Sequence, residues 1–134
     1  MTTTRSIMPM QTQLERYKKK LLVVLNASLA WNIVKLPKNT FDLQLKKYEE
    51  ECDEAIEAEQ INYQRLIEEL ADVLISIGGM MRFNPELAID MLNQFLDCMD
   101  KFILMDVVDY AEQKLPLLYE RSYSDGYHHD EVIQ

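Results

Sequence analysis

Six acidic side chains lie in two short groups between residues 50 and 72, at a spacing that could bind a metal ion. They are Glu50, Glu51 and Glu54, followed by Glu68, Glu69 and Asp72. Residues three or four positions apart share one face of a helix, so each group would present its carboxylates together. Two antiparallel helices could bring the groups into contact. Crowded carboxylates resist ionisation unless a positive charge lies between them, and Mg²⁺, which prefers oxygen ligands, could supply that charge.

An ordinary solvated face is the alternative interpretation of these acids, because 23 of the 134 residues are Asp or Glu. Two features favour a functional site. Apolar residues flank both Glu54 and Asp72, and a carboxylate among core residues is costly to bury without a partner. Asp is also a mediocre helix former. Its position inside an apolar helical run therefore indicates a specific role for Asp72.

The elements that must position these acids are helices. Apolar residues recur at helical spacing along most of the chain, and only 3 Gly and 4 Pro argue against an all-β protein. The pattern predicts an all-α bundle of four or five helices. The expected helices cover residues 11–36, 41–58, 63–82, 85–105 and 107–120. Asn84 and Pro85 are typical of a helix start, and Pro116 predicts a kink or a restart in the last helix.

Composition limits the classes of function. The net charge of −9 leaves no basic surface for nucleic acid, and no apolar run is long enough to span a membrane. Residues 1–10 lack the apolar core of a secretory signal and are predicted to form a flexible arm. Cys52 and Cys98 have no metal-ligand spacing, and we interpret them as reduced core thiols of a cytoplasmic protein.

The acidic motif resembles the signature of the all-α nucleoside triphosphate pyrophosphatases. That superfamily includes MazG, the all-α dUTPases, the dCTP pyrophosphatases and phosphoribosyl-ATP pyrophosphohydrolase. Its pattern EExxE followed by ExxD corresponds here to the runs Glu50-Glu51-Cys52-Asp53-Glu54 and Glu69-Leu70-Ala71-Asp72. The resemblance is strongest over residues 41–80. It implies hydrolysis of a ribo- or deoxyribonucleoside triphosphate to the monophosphate and pyrophosphate, with Mg²⁺ as cofactor and Mn²⁺ as a substitute.

The resemblance also implies roles for the individual acids. Glu51, Glu54, Glu69 and Asp72 would hold the metal ions, which neutralise charge on the triphosphate. Glu50 would be an outer metal ligand or would orient the attacking water. Glu50 and Glu69 are therefore the predicted catalytic residues.

Substrate contacts are predicted at two further places. Relatives carry an aromatic and an amide residue near the end of the first helix, which implies contact of Trp31 and Asn32 with the base, although core packing is an alternative for Trp31. A pattern of Lys, Asn and Arg-x-Tyr follows the last long helix in MazG-like proteins. Lys114, Arg121 and Tyr123 match it.

Two features of the sequence weaken the predicted phosphate contacts. Leu118 stands where the pattern has Asn, which weakens a phosphate role for the residues around it. Lys47 is the remaining candidate for a phosphate contact, but it is also placed to pair with Glu51 four residues later. Residues 11–120 would form the catalytic domain, and residues 121–134 a tail that covers the site.

The sequence also predicts self-association, and it leaves two alternative functions to consider. Short helices with continuous apolar stripes seldom bury everything within one subunit, and relatives form dimers or dimers of dimers, so we expect a homodimer or a homotetramer. One rival is a non-catalytic helical interaction module with a solvated acidic face. A di-iron bundle is the other, but it uses Glu-x-x-His pairs, and both histidines, His128 and His129, lie in the tail.

Overall fold

The computed structural model describes residues 10–121, and within that range every regular element is an α-helix. In chain order the helices are α1 (Met10–Lys35), α2 (Phe41–Ala58), α3 (Tyr63–Met80), α4 (Pro85–Asp97) and α5 (Lys101–Tyr119). The predicted all-α class is therefore confirmed. The predicted arm before Met10 and the predicted tail after Arg121 lie outside the described residues.

Helix α3 is the centre of the bundle and packs against each of the other four helices. A helix surrounded in this way must be apolar on most sides, and every residue of α3 from Val73 to Met80 is buried. None of the helices within residues 10–121 is both long and apolar enough to cross a lipid bilayer.

Two glycines allow α3 to lie close to its neighbours. A Cβ atom at Gly78 would lie 2.5 Å from the Cβ of Ser28 on α1, and one at Gly79 would lie 2.5 Å from the side-chain nitrogen of Asn32 and 2.6 Å from that of Gln44. Real Cβ atoms do not approach other atoms so closely. At Gly78 the backbone oxygen of Leu25, at 2.9 Å, adds a neighbour that cannot move aside, whereas at Gly79 the side-chain amides of Asn32 and Gln44 would have to shift. The two glycines therefore mark a close approach of α3 to α1 and α2.

Polar caps fix where four of the helices begin. In each case a side-chain oxygen accepts a hydrogen bond from a backbone N–H two or three residues later, which satisfies one of the unpaired donors of the first turn. The capping residues are Thr40, Asn62, Asn84 and Asp100. The helix start predicted at Asn84 and Pro85 is confirmed.

The predicted boundary between the last two helices is wrong. The fourth helix ends at Asp97 rather than at residue 105, and Met105 is buried within α5. The physical reason is the cap at Asp100, whose carboxylate accepts hydrogen bonds from two backbone N–H groups at 2.9 Å each. Cys98 follows the end of α4 and is exposed, so the prediction that it is a core thiol is also wrong. Pro116 does not restart the helix, because α5 continues through it.

Candidate metal centre

Helices α2 and α3 bring three of the predicted metal ligands together. One carboxylate oxygen from each of Glu51, Glu69 and Asp72 lies within 4.8 Å of the other two. We call these three residues the acidic cluster. Glu51 and Glu69 are each only 5% exposed, and Asp72 is half-buried. The two acidic groups of the sequence therefore do converge across a helix pair.

A short connection explains why these residues meet. Only residues 59–62 separate α2 from α3, and so short a link makes the two helices antiparallel neighbours. Glu51 lies seven residues before the end of α2, and Glu69 lies six residues after the start of α3. With a rise of 1.5 Å per residue, both lie roughly 10 Å from the connection. They are therefore level with each other, and Asp72 is on the same face of α3 as Glu69.

Each carboxylate of the acidic cluster is paired with a basic side chain. The pairs are Lys47 with Glu51, Arg65 with Glu69, and Lys114 with Asp72. We call the three basic residues the paired cations. The N–O distance is 3.3 Å in each of the first two pairs. Lys47 and Arg65 precede their partners by one helical turn, whereas Lys114 comes from α5.

The paired cations do not fully offset the cost of confining the acids. Burial, together with the negative charges of Asp72 and Glu54, raises the pKa of Glu51 to about 7, although Lys47 opposes this. Burial likewise raises the pKa of Glu69 to about 7, with contributions from Glu54 and Asp72 that outweigh the opposing effect of Arg65. In the metal-free protein, the ionised form of these carboxylates is therefore less favourable than it is for a carboxylate in water.

A buried oxygen in the cluster has no hydrogen-bond partner. The side-chain oxygen Oε2 of Glu69 is inaccessible and accepts no hydrogen bond from any part of the chain that the structure describes. Buried polar atoms without partners are rare in folded proteins, and each needs an explanation such as an ion. This observation is independent of the acid count and makes the cluster a candidate site for a positively charged ligand.

The other two predicted acids lie at the edge of the cluster or beside it. Glu54 is exposed, and its charge acts on both Glu51 and Glu69. Glu50 is half-buried and is not one of the three residues whose oxygens gather within 4.8 Å. Metal binding by Glu54 and water orientation by Glu50 therefore stay predictions.

The predicted base contacts are buried in the bundle. Trp31 is 2% exposed and Asn32 is 1% exposed. The amide nitrogen of Asn32 donates to Gln44 at 3.0 Å, and its oxygen accepts from Asn39 at 3.2 Å and from Arg82 at 3.0 Å. Contact of Asn32 with a base stays a prediction, and it would require this amide network to open.

The amide network also has a structural role that the sequence did not indicate. Gln44 donates a hydrogen bond to the backbone oxygen of Ser76 at 2.8 Å, which joins α2 to α3. Arg82 donates to the backbone oxygens of Asn32 and Leu36 at the end of α1. The available signal was the position of Gln44 on the apolar stripe of its helix, where a polar residue requires a buried partner.

The predicted phosphate contacts lie in two parts of the chain, on α2 and near the end of α5 and beyond it. Lys47 and Lys114 both lie in the cluster as paired cations. Arg121 is exposed after the end of α5, and Leu118, which replaces the expected Asn, is buried in the core. Tyr123 lies outside the described residues. Of these candidates, the structure thus brings the two lysines to the carboxylates.

A mainly apolar pocket of about 380 Å³ lies between α2, α3, α4 and α5. Cys52, Leu70 and Val73 line it, and each is the residue that immediately follows a carboxylate of the cluster. Phe95 and Ile103 complete the wall from α4 and α5. The volume lies in the range of small-molecule sites.

Comparison of the chain with protein-family models, with curated proteins and with solved structures found no match. The features of the chain that bear on its function are the acidic cluster, the paired cations, the unpartnered oxygen of Glu69 and the order of the acids in the sequence.

The raised pKa values predict how the metal-free protein responds to pH. In the folded protein the pKa values of Glu51 and Glu69 are about 7, above the ordinary value of 4.5. Both groups therefore bind protons more tightly in the folded protein than in the unfolded chain. Their contribution to stability is therefore complete below about pH 4.5 and is lost as the pH rises through about 7. Urea unfolding in EDTA should give a lower free energy of unfolding at about pH 8 than at about pH 5.5.

The control for this experiment is the double variant Glu51→Gln, Glu69→Gln, in which the pH dependence should be clearly smaller. An equal slope in the variant and in the wild type would contradict the assignment of the effect to these two groups.

Proposed function

We propose that this protein is a Mg²⁺-dependent hydrolase that converts a nucleoside triphosphate to the monophosphate and pyrophosphate. The observation that carries the proposal is the convergence of Glu51, Glu69 and Asp72 from two helices around a buried, unpartnered carboxylate oxygen. The order of these acids, EExxE followed by ExxD, is that of the all-α nucleoside triphosphate pyrophosphatases. Buried acids also argue against an interaction module whose acidic face is solvated.

The donor set fits a hard divalent cation. Three carboxylates offer only oxygen, which suits Mg²⁺ and Mn²⁺ better than softer metals. Two oxygens on one Mg²⁺ are at most about 4.2 Å apart, because each bond is about 2.1 Å long. The oxygens of the cluster lie within 4.8 Å of one another, so small side-chain adjustments bring them into range. A bound metal ion supplies charge neutralisation and lowers the pKa of water.

The acidic and basic residues of the site have different proposed roles. Glu51, Glu69 and Asp72 hold the cation, and the exposed Glu54 extends the carboxylate edge towards solvent. Glu50, by resemblance, orients the attacking water. Lys47 and Lys114 are the nearest groups with the charge to bind phosphate oxygens. Preorganised charges of this kind supply much of the catalysis in phosphoryl transfer.

Water is the proposed nucleophile. Cys52 is the thiol next to the cluster, and burial raises its pKa. It is therefore a protonated and weakly nucleophilic group at neutral pH. Direct attack by water, without a covalent intermediate, is therefore the proposed route. The resemblance implies that water attacks the α-phosphorus and that pyrophosphate is the leaving group.

The apolar pocket is the proposed place for the nucleoside. It is lined by the residues that follow the three carboxylates in sequence on α2 and α3, and mainly apolar walls of this size are typical of small-molecule sites. Trp31 and Asn32 are the alternative given by the resemblance, but both are committed to the core.

The test of the proposed reaction is product analysis across the ribo- and deoxyribonucleoside triphosphates with Mg²⁺. One monophosphate and one pyrophosphate should form per turnover, and in ¹⁸O-labelled water the label should enter the monophosphate. Label in pyrophosphate would move the attack to the β-phosphorus. Release of orthophosphate with a nucleoside diphosphate would remove the protein from this class of enzyme.

Self-association is the second part of the proposal. Helix α1 exposes Leu22, Val23, Ile33 and Val34, each at least 49% accessible. Their spacing places them on one side of the helix, and such a face favours contact with a second copy. Light scattering after size exclusion should show a dimer or a tetramer.

The variant that tests this face is Leu22→Glu, Ile33→Glu, which should shift the protein to the monomer. The control is Ile61→Glu, which places the same charge at an exposed apolar residue between α2 and α3. A wild-type monomer at low micromolar concentration would contradict the assembly.

A further inference from the structure

Every carboxylate of the acidic cluster already has a cation as partner. We propose that a divalent cation and a polyphosphate bind this site cooperatively, because the metal displaces Lys47, Arg65 and Lys114 from the carboxylates and releases them to bind phosphate oxygens. The inference rests on the proposed function and names a third phosphate-binding residue, Arg65. It adds to that function that the metal ion and the substrate each strengthen the binding of the other.

Competition for the same carboxylates is the first step. The carboxylates have little room for extra ligands, since the side chains of Glu51 and Glu69 are 7% and 6% exposed. Arg65 pairs with the oxygen Oε1 of Glu69, whereas Oε2 has no partner. A metal ion at the cluster shares the negative charge that holds each cation, and it therefore weakens all three ion pairs. This weakening offsets part of the free energy that the metal gains from the carboxylates.

Charge neutralisation is the second step. When ionised, the acidic cluster, Glu54 and Glu68, which lies 3.9 Å from Arg65, carry five negative charges, against three positive charges on the paired cations. The site is then negative and repels a polyanion. A divalent cation cancels this excess of negative charge and removes the repulsion. The local charge that a polyphosphate meets thus depends on whether the metal is present.

The paired cations are suited to the new partner. Lys47 and Lys114 have flexible stems, and their side chains are 12% and 18% exposed. Arg65 is 52% exposed at the edge of the site, and its planar guanidinium can bind two phosphate oxygens together. The three come from α2, α3 and α5, so they approach the carboxylates from different elements. A chain of phosphate groups can contact several of them at once.

Two substitutions separate this mechanism from simple metal binding, because each should act in opposite directions on the two ligands. Asp72→Asn leaves Lys114 without its carboxylate partner. It should strengthen metal-free binding of pyrophosphate about fivefold, while it removes most of the gain that metal gives. Lys114→Met frees Asp72. It should strengthen binding of Mn²⁺ alone about fivefold, while it removes much of the metal-dependent gain in pyrophosphate binding. Effects of this size are typical of coupled sites.

The measurements are equilibrium dialysis of ³²P-labelled pyrophosphate, in EDTA and at a fixed free Mn²⁺ concentration, and electron paramagnetic resonance of Mn²⁺ without pyrophosphate. In the wild type, Mn²⁺ should strengthen pyrophosphate binding at least about tenfold. Chelation of Mn²⁺ by pyrophosphate in solution is the same for every variant, so differences between variants report the protein. Lys20→Met is the matched control, because the ion pair of Lys20 with Asp109 joins α1 to α5 outside the cluster.

The outcomes are decisive in both directions. Weaker metal-free pyrophosphate binding in Asp72→Asn, or weaker Mn²⁺ binding in Lys114→Met, would overturn the inference, and so would equal effects in Lys20→Met. Neither assay requires turnover. Cooperative binding without hydrolysis would therefore keep this inference and remove the proposed reaction, and hydrolysis without cooperative binding would do the reverse.

Discussion

Glu69→Gln is expected to lower kcat for triphosphate hydrolysis about 100-fold or more, the scale on which loss of one preorganised electrostatic element is usually felt. The substitution keeps the size of the side chain and removes one negative charge from the most constrained carboxylate of the cluster. Glu69 is 5% exposed and has the oxygen without a partner. Steady-state kinetics with saturating Mg²⁺ measure the effect, and KM should change much less than kcat.

Glu57→Gln is the control for this loss. Glu57 is an exposed acid near the end of α2, outside the cluster and the three ion pairs that surround it. The variant removes the same charge from the same helix pair without entering the cluster, so kcat should stay within about twofold. Equal losses in the two variants would mean that net charge, and not the cluster, controls the rate. Unchanged kcat in Glu69→Gln would remove the cluster from the catalytic centre.

Local signals explain why the helix pair that holds the site was predictable. Each half of the motif lies within one helix, where spacing alone decides which residues share a face. The cap at Asn62 and the short link before it then make the two helices antiparallel. No long-range contact had to be inferred to bring Glu51 towards Glu69 and Asp72.

The paired cations include one contact that local sequence spacing could not predict. Lys47 and Glu51 are four residues apart, and their pairing was one of two alternatives. Arg65 and Glu69 have the same spacing, and that pair could have been found by the same rule. Lys114 and Asp72 are 42 residues apart in sequence. Their contact depends on how α5 packs on α3, and a local pattern contains no information about that packing.

Buried amides and the fourth helix were missed for related physical reasons. The hydrogen bonds of Asn32 and Gln44 join three helices, so a polar residue in a helical pattern gives no sign of its partner. The break after Asp97 was hidden because apolar spacing continues across it, whereas the cap at Asp100 decides the boundary. A capping side chain offers the backbone hydrogen bonds that compete with continuation of the helix, and here the cap overrides the periodic pattern.

Millimolar Mg²⁺ or Mn²⁺ is expected to raise the melting temperature of the wild type, because a ligand that binds only the folded state stabilises it by mass action. At a concentration of 100 times Kd, the gain is about 2.7 kcal/mol. Since the paired cations oppose metal binding, adding pyrophosphate should increase the shift further. Differential scanning fluorimetry in EDTA and in metal gives the difference for each variant.

Glu51→Gln should lose most of the metal-induced shift, because Glu51 contributes one of the three converging oxygens. Glu54→Gln should lose part of it, since Glu54 is exposed at the edge but acts on both buried acids. Glu57→Gln, an exposed acid on the same helix outside the cluster, should keep the full shift. Comparing the shift within each variant removes the effect of the substitution on the metal-free protein. A wild-type melting curve that does not move with metal would exclude the metal centre, and a full shift in Glu51→Gln would place the metal elsewhere.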